Sequence, residues 1–391
     1  MKQKLRVAFV INDLLLGGAQ NAVFNIASKL DLQRFEPIVY FLNTYPNRPN
    51  LVAEFQNKGI SVQYIGDGGK TNISAAIRKL RKLWHAPKPD IVHLHLVDAT
   101  IAGVLAARLS GVRKIIVHEH QTHTHYSWKI RLVYKLIRPL TTLSIFFSPV
   151  IENELFRSSA TLVVPPITLT RKSYSIYNGI DCEKIEEIKK TNVREQKRIE
   201  LDTPQNALVV VSVARLVSWK GQEVLLEAFA RIADKIETAH LWILGEGPLK
   251  ETLERRVGEL QLSDRVHLFG ARTDVYQVLA ASDIGALTLL YAPGEAAESI
   301  GIAGFEMMAA GIPLIASDYP SAREFISSGE TGALVSPGDI PSYEHALLQL
   351  LGNTEERARI GAAGATLIRE RLDWRRIVPI YERIYELIFS S

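Results

Sequence analysis

A single cysteine, Cys182, occurs in 391 residues. One thiol cannot build an internal disulfide framework, and such sparing use fits a reducing compartment. No apolar run reaches the roughly 18 to 20 residues that a membrane-spanning helix needs. The first residues, Met1-Lys2-Gln3-Lys4, lead into a short strand pattern rather than an apolar leader. The expected location is therefore the cytoplasm. The turn after the first strand pattern lacks Gly-x-Gly-x-x-Gly spacing, which argues against a dinucleotide site. No Asp-x-Asp triplet is present to hold a metal, and no internal repeat, low-complexity tract or acidic tail occurs.

What is present is a soluble α/β pattern: 47% hydrophobic and 23% charged residues are ordinary for a globular protein. The length exceeds what one core serves and predicts two domains. Short apolar runs at 7–11, 38–42, 62–65, 91–94, 114–117, 145–148 and 173–177 read as strands of the first domain. Those at 208–213, 241–244, 266–269, 284–289, 313–316 and 333–335 read as strands of the second. Helical stretches such as 20–30, 98–109, 222–232 and 343–350 alternate with them, which predicts two doubly wound, Rossmann-like α/β domains with parallel sheets. The boundaries fall at 1–180, 181–373 and a last helix, 374–391. Asn178-Gly179 is a turn signal, and Asp181 can cap a charged, surface-like helix over 183–200.

Several residues gather at predicted strand ends. Glu298 and Glu306 flank Ser299-Ile300-Gly301-Ile302; a helix starting near Ser299 offers free amides and a positive dipole end to a phosphate, and Gly301 admits close approach. Two carboxylates at the mouth and two turns in can hold the ends of an elongated, hydroxyl-rich ligand with a diphosphate between them, the shape of a nucleotide sugar. Arg215 and Lys220 stand on the loop leaving the 208–213 strand, where open α/β sheets bind ligands, and two fixed cations suit a diphosphate. Gly17-Gly18 leaves open backbone at another strand end, able to face the phosphate and sugar of that ligand. Glutamates on a solvated helix face, ordinary loop charges and a plain tight turn are the competing readings.

Gly17-Gly18-Ala19, Val117-His118-Glu119, Tyr177-Asn178-Gly179-Ile180-Asp181, Ala214-Arg215-Leu216 with Lys220-Gly221, Gly245-Glu246-Gly247-Pro248 and the Glu298/Glu306 pair occur in an order and spacing that resembles the retaining glycosyltransferases of family 4, of GT-B fold. The resemblance spans nearly the whole chain. It implies two Rossmann-like domains facing a cleft, with the last helix crossing back to the first. It also implies that sugar passes from a nucleotide-sugar donor, first expected to carry UDP, to an acceptor with retention of configuration. His118 is placed beside the transferred sugar, through its ring or its main chain. Gly245 and Glu246 are placed beside the nucleotide, the turn carrying Arg272 beside the base, Glu306 on the ribose and Glu298 on the donor sugar. Arg215, Lys220 and the start of the helix at Ile300, Gly301 and Ile302 stabilise the leaving diphosphate. No metal or other cofactor is required on this reading. Ile300 stands where the family commonly has Phe, and residues 291–297 form a longer approach to Glu298.

Residues 1–180 carry 23 Lys and Arg against 10 Asp and Glu, a charge of +13, and the remainder −9. The stretch 126–138 interleaves Trp128, Lys129, Arg131, Leu132, Lys135, Leu136 and Arg138, which suits a membrane interface; a core helix with snorkelling cations is the alternative. A lipid-linked or surface-polysaccharide acceptor at the inner face of a membrane is the resulting expectation, with His120, Trp128, Lys129 and Arg131 on the acceptor or membrane side. Nucleic acid is not an expected partner, because no recognition module is apparent. Zinc binding by Glu119, His120, His123 and His125 is disfavoured, for the spacing matches no helical pair or knuckle. A non-hydrolysing nucleotide-sugar epimerase and a catalytically silent nucleotide-sugar-binding subunit are the other functions open to such a chain.

Overall fold

The structure is a computed structural model that describes residues 4–46, 48–68, 71–120, 127–149, 152–153, 167–290 and 300–390. The chain divides into two compact units, Met1–Gly179 with Trp374–Ser391, and Ile180–Asp373. The division falls one residue before the expected boundary.

Unit 1 holds β1 (Leu5–Ile11), β2 (Phe35–Phe41), β3 (Ser61–Tyr64), β4 (Ile91–His95), β5 (Ile115–Glu119), β6 (Leu143–Phe146) and β7 (Ser173–Ser175) in the order β3-β2-β1-β4-β5-β6-β7. Every pairing is parallel. A parallel sheet is covered on both faces, which is why β4 and β5 are buried at every residue and read as runs rather than alternations. The Trp374–Ser390 helix is part of this core: Ile377, Tyr381, Ile384, Tyr385 and Ile388 pack with Phe9, Ile26 and Phe35.

Unit 2 holds β8 (Leu208–Val213), β9 (Ala239–Leu244), β10 (Val266–Gly270), β11 (Ile284–Leu287), β12 (Leu314–Ser317) and β13 (Ala333–Val335) in the order β10-β9-β8-β11-β12-β13, again all parallel. In each unit the strand order reverses beside the first strand, between β1 and β4 and between β8 and β11. Open α/β sheets bind ligands outside the carboxyl ends of the strands at such a point.

The single charged helix expected over 183–200 is two, Cys182–Lys189 and Val193–Glu200, and it is not a plain surface element. Ile185, Val193 and the fully buried Arg198 face inward. The Arg198 guanidinium donates to the carbonyls of Ala281, Gln205 and Ala207 and pairs with Asp283 at 2.8 Å, so burial is offset by a full set of partners. Among the described residues no helix is long and apolar enough to cross a membrane.

Candidate active site

In unit 2 the loop after β8 forms a short 3-10 turn, Ser218–Lys220, between Arg215 and the Gln222–Ala233 helix. Trp219 supports both cations: the Arg215 Cζ lies 5.3 Å and the Lys220 Nζ 4.2 Å from its ring centroid. An indole face that attracts cations limits the freedom of both side chains before any ligand arrives. The turn is anchored to the strand end beside it. Thr288 Oγ1 donates to the Lys220 carbonyl at 3.0 Å and the Leu290 amide donates to the Trp219 carbonyl at 2.9 Å. Gly221 closes the turn at φ 65°, and a Cβ there would meet the Thr288 oxygen at 1.9 Å, so only glycine fits.

The turn after β9 lies directly on this loop. The Leu216 amide donates to the Glu246 carbonyl at 2.9 Å, and a side chain at Gly245 would stand 1.9 Å from the Ala214 oxygen. Glu246 itself is exposed and 3.5 Å from Lys250. The Arg272 guanidinium, on the turn expected beside a base, is paired with Asp274 at 2.7 Å and with Glu200 at 2.6 Å, and Lys197 joins the same cluster. These contacts raise the Arg272 value above its ordinary range and lower that of Asp274. Through its side chain Arg272 clasps the Val193–Glu200 helix to the β10 end, while the backbone of its turn is the part expected beside a base.

The helix expected near Ser299 runs from Gly301 to Ala309, with Ile300 at its N-cap and no side-chain cap. Gly301 has φ 68° and a Cβ there would meet nothing within 4 Å. Ile300 is buried, whereas Gly301 and Ile302 keep surface. Glu306, two turns in, receives a hydrogen bond from Tyr276, and low-polarity surroundings push its carboxyl up to about 7. Glu298 and Ser299 lie outside the described residues, as do His123 and His125.

In unit 1, Gly17 caps the Gly18–Lys29 helix without a side-chain bond. Asp13 Oδ1 accepts from the Leu15 amide and from Gln20 Nε2, which shapes the β1 turn around exposed Gly18. His118, expected to serve through its ring or its main chain, has a fully buried ring, and neither ring nitrogen has a partner. A sugar cannot reach that ring, which leaves its main chain as the only group able to serve. His120 is the ring of this group that keeps surface, hydrogen-bonded to His95 Nδ1 at 2.9 Å through Nε2. The Trp128–Ile137 helix turns Tyr134 and Ile137 inward and exposes Trp128, Leu132 and Leu136, at 67%, 49% and 67%, beside Lys129, Arg131 and Lys135. The helix thus packs one face on the core and leaves an apolar ridge with flanking cations exposed.

Trp219 and Tyr276 were not singled out from the sequence. An aromatic next to Lys220 was a usable signal for the first. The second stands 30 residues from Glu306, and nothing local links them.

Two family models divide the chain: the family 4 glycosyltransferase model matches residues 16–184 and the group 1 glycosyl transferase model residues 193–366. The chain is a retaining, family 4 glycosyltransferase. It is 28% identical over 313 residues to the N-acetyl-alpha-D-glucosaminyl L-malate synthase of Bacillus anthracis, covering 80% of this chain and 78% of that protein. It is 26% identical over 336 residues to the phosphatidyl-myo-inositol mannosyltransferase of Mycobacterium leprae, covering 85% and 83%. The crystal structure of Anabaena HepE in complex with UDP and glucose superposes with a TM-score of 0.79 at 21% identity, over 98% of this chain and 99% of that one. A likeness at that identity speaks for the GT-B fold of this glycosyltransferase.

Proposed function

We propose that the donor is a UDP-sugar held by unit 2 and that the acceptor is a lipid-linked or surface-polysaccharide glycan met at an anionic membrane face. The observation that carries the donor half is the pair of cations, Arg215 and Lys220, braced on one indole at the switch point of the second sheet. Breaking the sugar–phosphate bond leaves negative charge on the diphosphate. Two fixed cations and the amides at the start of the Gly301–Ala309 helix meet that charge without reorganising. Metal is not needed for this step, because the chain's own groups supply the compensation. As the anomeric carbon loses its bond to the phosphate oxygen, the acceptor oxygen bonds to the same face, and its proton passes to the departing diphosphate. Glu306, once ionised, accepts from the ribose hydroxyls. Uridine is favoured by the likeness to HepE, which binds UDP.

The acceptor half rests on the exposed Trp128, Leu132 and Leu136 ridge with cations on its flanks, a combination that suits an interface with anionic lipid. The likeness to a phosphatidyl-myo-inositol mannosyltransferase agrees with a lipid-borne acceptor. On this reading the protein works at the cytoplasmic face of a membrane without crossing it.

A thermal-shift series with UDP-, GDP- and ADP-sugars tests the donor. UDP compounds raise the melting temperature and the Arg215→Ala variant loses most of that rise. A shift with GDP- or ADP-sugars alone overturns the choice of base, and no shift with any of them overturns the donor site.

A further inference from the structure

In unit 1, on the face of the sheet that the Trp374–Ser390 helix covers, three imidazoles meet in the core. His93 and His95 from β4 and His118 from β5 are each fully buried. One ring nitrogen from each lies within 4.8 Å of one from each of the others. Their ring centroids are 4.3 to 5.6 Å apart. Strand register explains the meeting, since His95 and His118 are direct partners across β4 and β5.

The bonding of these rings is one-sided. His93 engages the Tyr385 hydroxyl through Nδ1 at 2.8 Å, and His95 engages His120 through Nδ1 at 2.9 Å. The Nε2 atoms of both, and both nitrogens of His118, have no partner. The Tyr381 hydroxyl is also buried without one, and its ring lies 5.9 Å from that of His93 and 6.0 Å from that of His118. A buried polar group without a partner is costly, so five such atoms in one neighbourhood call for an occupant. When Nδ1–H of an imidazole is donated to a neighbour, Nε2 presents a lone pair, the arrangement by which outer partners orient the histidines of metal centres.

We propose that His93, His95 and His118, with the Tyr381 oxygen as a fourth donor, bind one Zn2+ ion that ties β4 and β5 to the carboxy-terminal helix. Neutral imidazole is the form that coordinates. Three imidazoles and an oxygen suit zinc among the abundant divalent ions. Ligand atoms around a tetrahedral zinc stand ~3.3 Å apart, so binding draws the rings inward from their present spacing by side-chain rotation. The ion has a structural role and takes no part in sugar transfer.

The test uses the full chain, stripped with chelator and dialysed, then titrated with Zn2+ and separately with Co2+. About one metal per chain, a raised melting temperature and the visible bands of tetrahedral Co2+ are expected. His93→Phe and His118→Gln lose the Co2+ bands, and Tyr381→Phe weakens binding at least tenfold. Less than a tenth of a metal per chain after Zn2+ exposure overturns the proposal and assigns the orphan atoms to buried water. Undiminished binding in folded His93→Phe and His118→Gln variants overturns it too, because the metal then sits elsewhere. Should those variants not fold, X-ray absorption of the wild-type zinc form decides: fewer than three imidazoles around the metal overturns the assignment.

Discussion

Tyr276 donates a hydrogen bond to the Glu306 carboxyl, and burial holds that carboxyl at about 7 against an ordinary 4.5. A folded-state value above the unfolded one gives stability that is complete below about pH 4.5 and is lost as pH rises through about 7. With Glu306 on the ribose as proposed, affinity for the nucleotide runs the other way, because only the carboxylate can accept from both hydroxyls. UDP affinity measured by calorimetry should rise roughly tenfold between pH 6 and 8. In Tyr276→Phe the hydrogen bond that lowers the carboxyl is gone, so the midpoint should move to higher pH. A flat profile removes Glu306 from the ribose site.

Arg215→Ala and Lys220→Ala should each cost about 10²–10³ in kcat/KM, the range for removing one preorganised group from a site of developing charge. Steady-state kinetics with the preferred donor reads this directly. Trp219→Ala keeps both charges and loses only their brace, so its loss should be smaller than either. Near-normal rates in both cation variants would show that the leaving diphosphate is stabilised by other groups.

Gly221→Ala should act on the site through the backbone. A methyl group 1.9 Å from the Thr288 oxygen, at a φ of 65°, cannot be accommodated without displacing the Ser218–Lys220 turn. Donor binding, followed by thermal shift, should fall together with stability. A variant with full stability and full donor response would mean that the turn tolerates displacement.

Arg198→Met should destabilise unit 2 by about 3–5 kcal/mol, since it strands the Asp283 carboxylate and several buried carbonyls. Urea unfolding measures the loss. Arg272→Ala makes a sharper comparison with the sequence-based reading. It removes a clasp to Asp274 and Glu200, so it should lower stability while leaving UDP affinity within about twofold. A loss of affinity at unchanged stability would restore Arg272 to the nucleotide site.

Sedimentation with anionic phosphatidylglycerol vesicles examines the acceptor side. Binding should weaken with salt, by about 1 kcal/mol for each of Lys129→Gln and Arg131→Gln, and should be nearly lost in a Trp128→Ala, Leu136→Asp double variant. Failure of the wild type to sediment with such vesicles at low salt would end the membrane reading.

Much of this protein was legible because strands buried on both faces announce themselves as apolar runs: all thirteen predicted strands have counterparts in β1 to β13. Arg215, Lys220 and Gly245 could be placed beyond strand ends for the same reason, since each follows such a run. What escaped depends on partners remote in sequence. The side-chain partner of Arg272 is one such case, since Glu200 stands 72 residues earlier. The burial of Arg198 likewise depends on Asp283, 85 residues on. His118 follows an apolar run as a catalytic residue at a strand end would, yet the covering of β5 by Tyr381, from the far end of the chain, sends its ring inward.

The last helix has a consequence for biosynthesis. Ile377, Tyr381, Ile384 and Tyr385 complete the interior of a body whose other strands lie within the first 179 residues. Translation delivers Ile180–Asp373 as one uninterrupted stretch, whereas the earlier body waits for those side chains to leave the ribosome. The nascent amino-terminal sheet therefore keeps an uncovered apolar face until residues 374–391 have been made. Shortening the chain at Asp373 should for that reason yield aggregates rather than a smaller working enzyme.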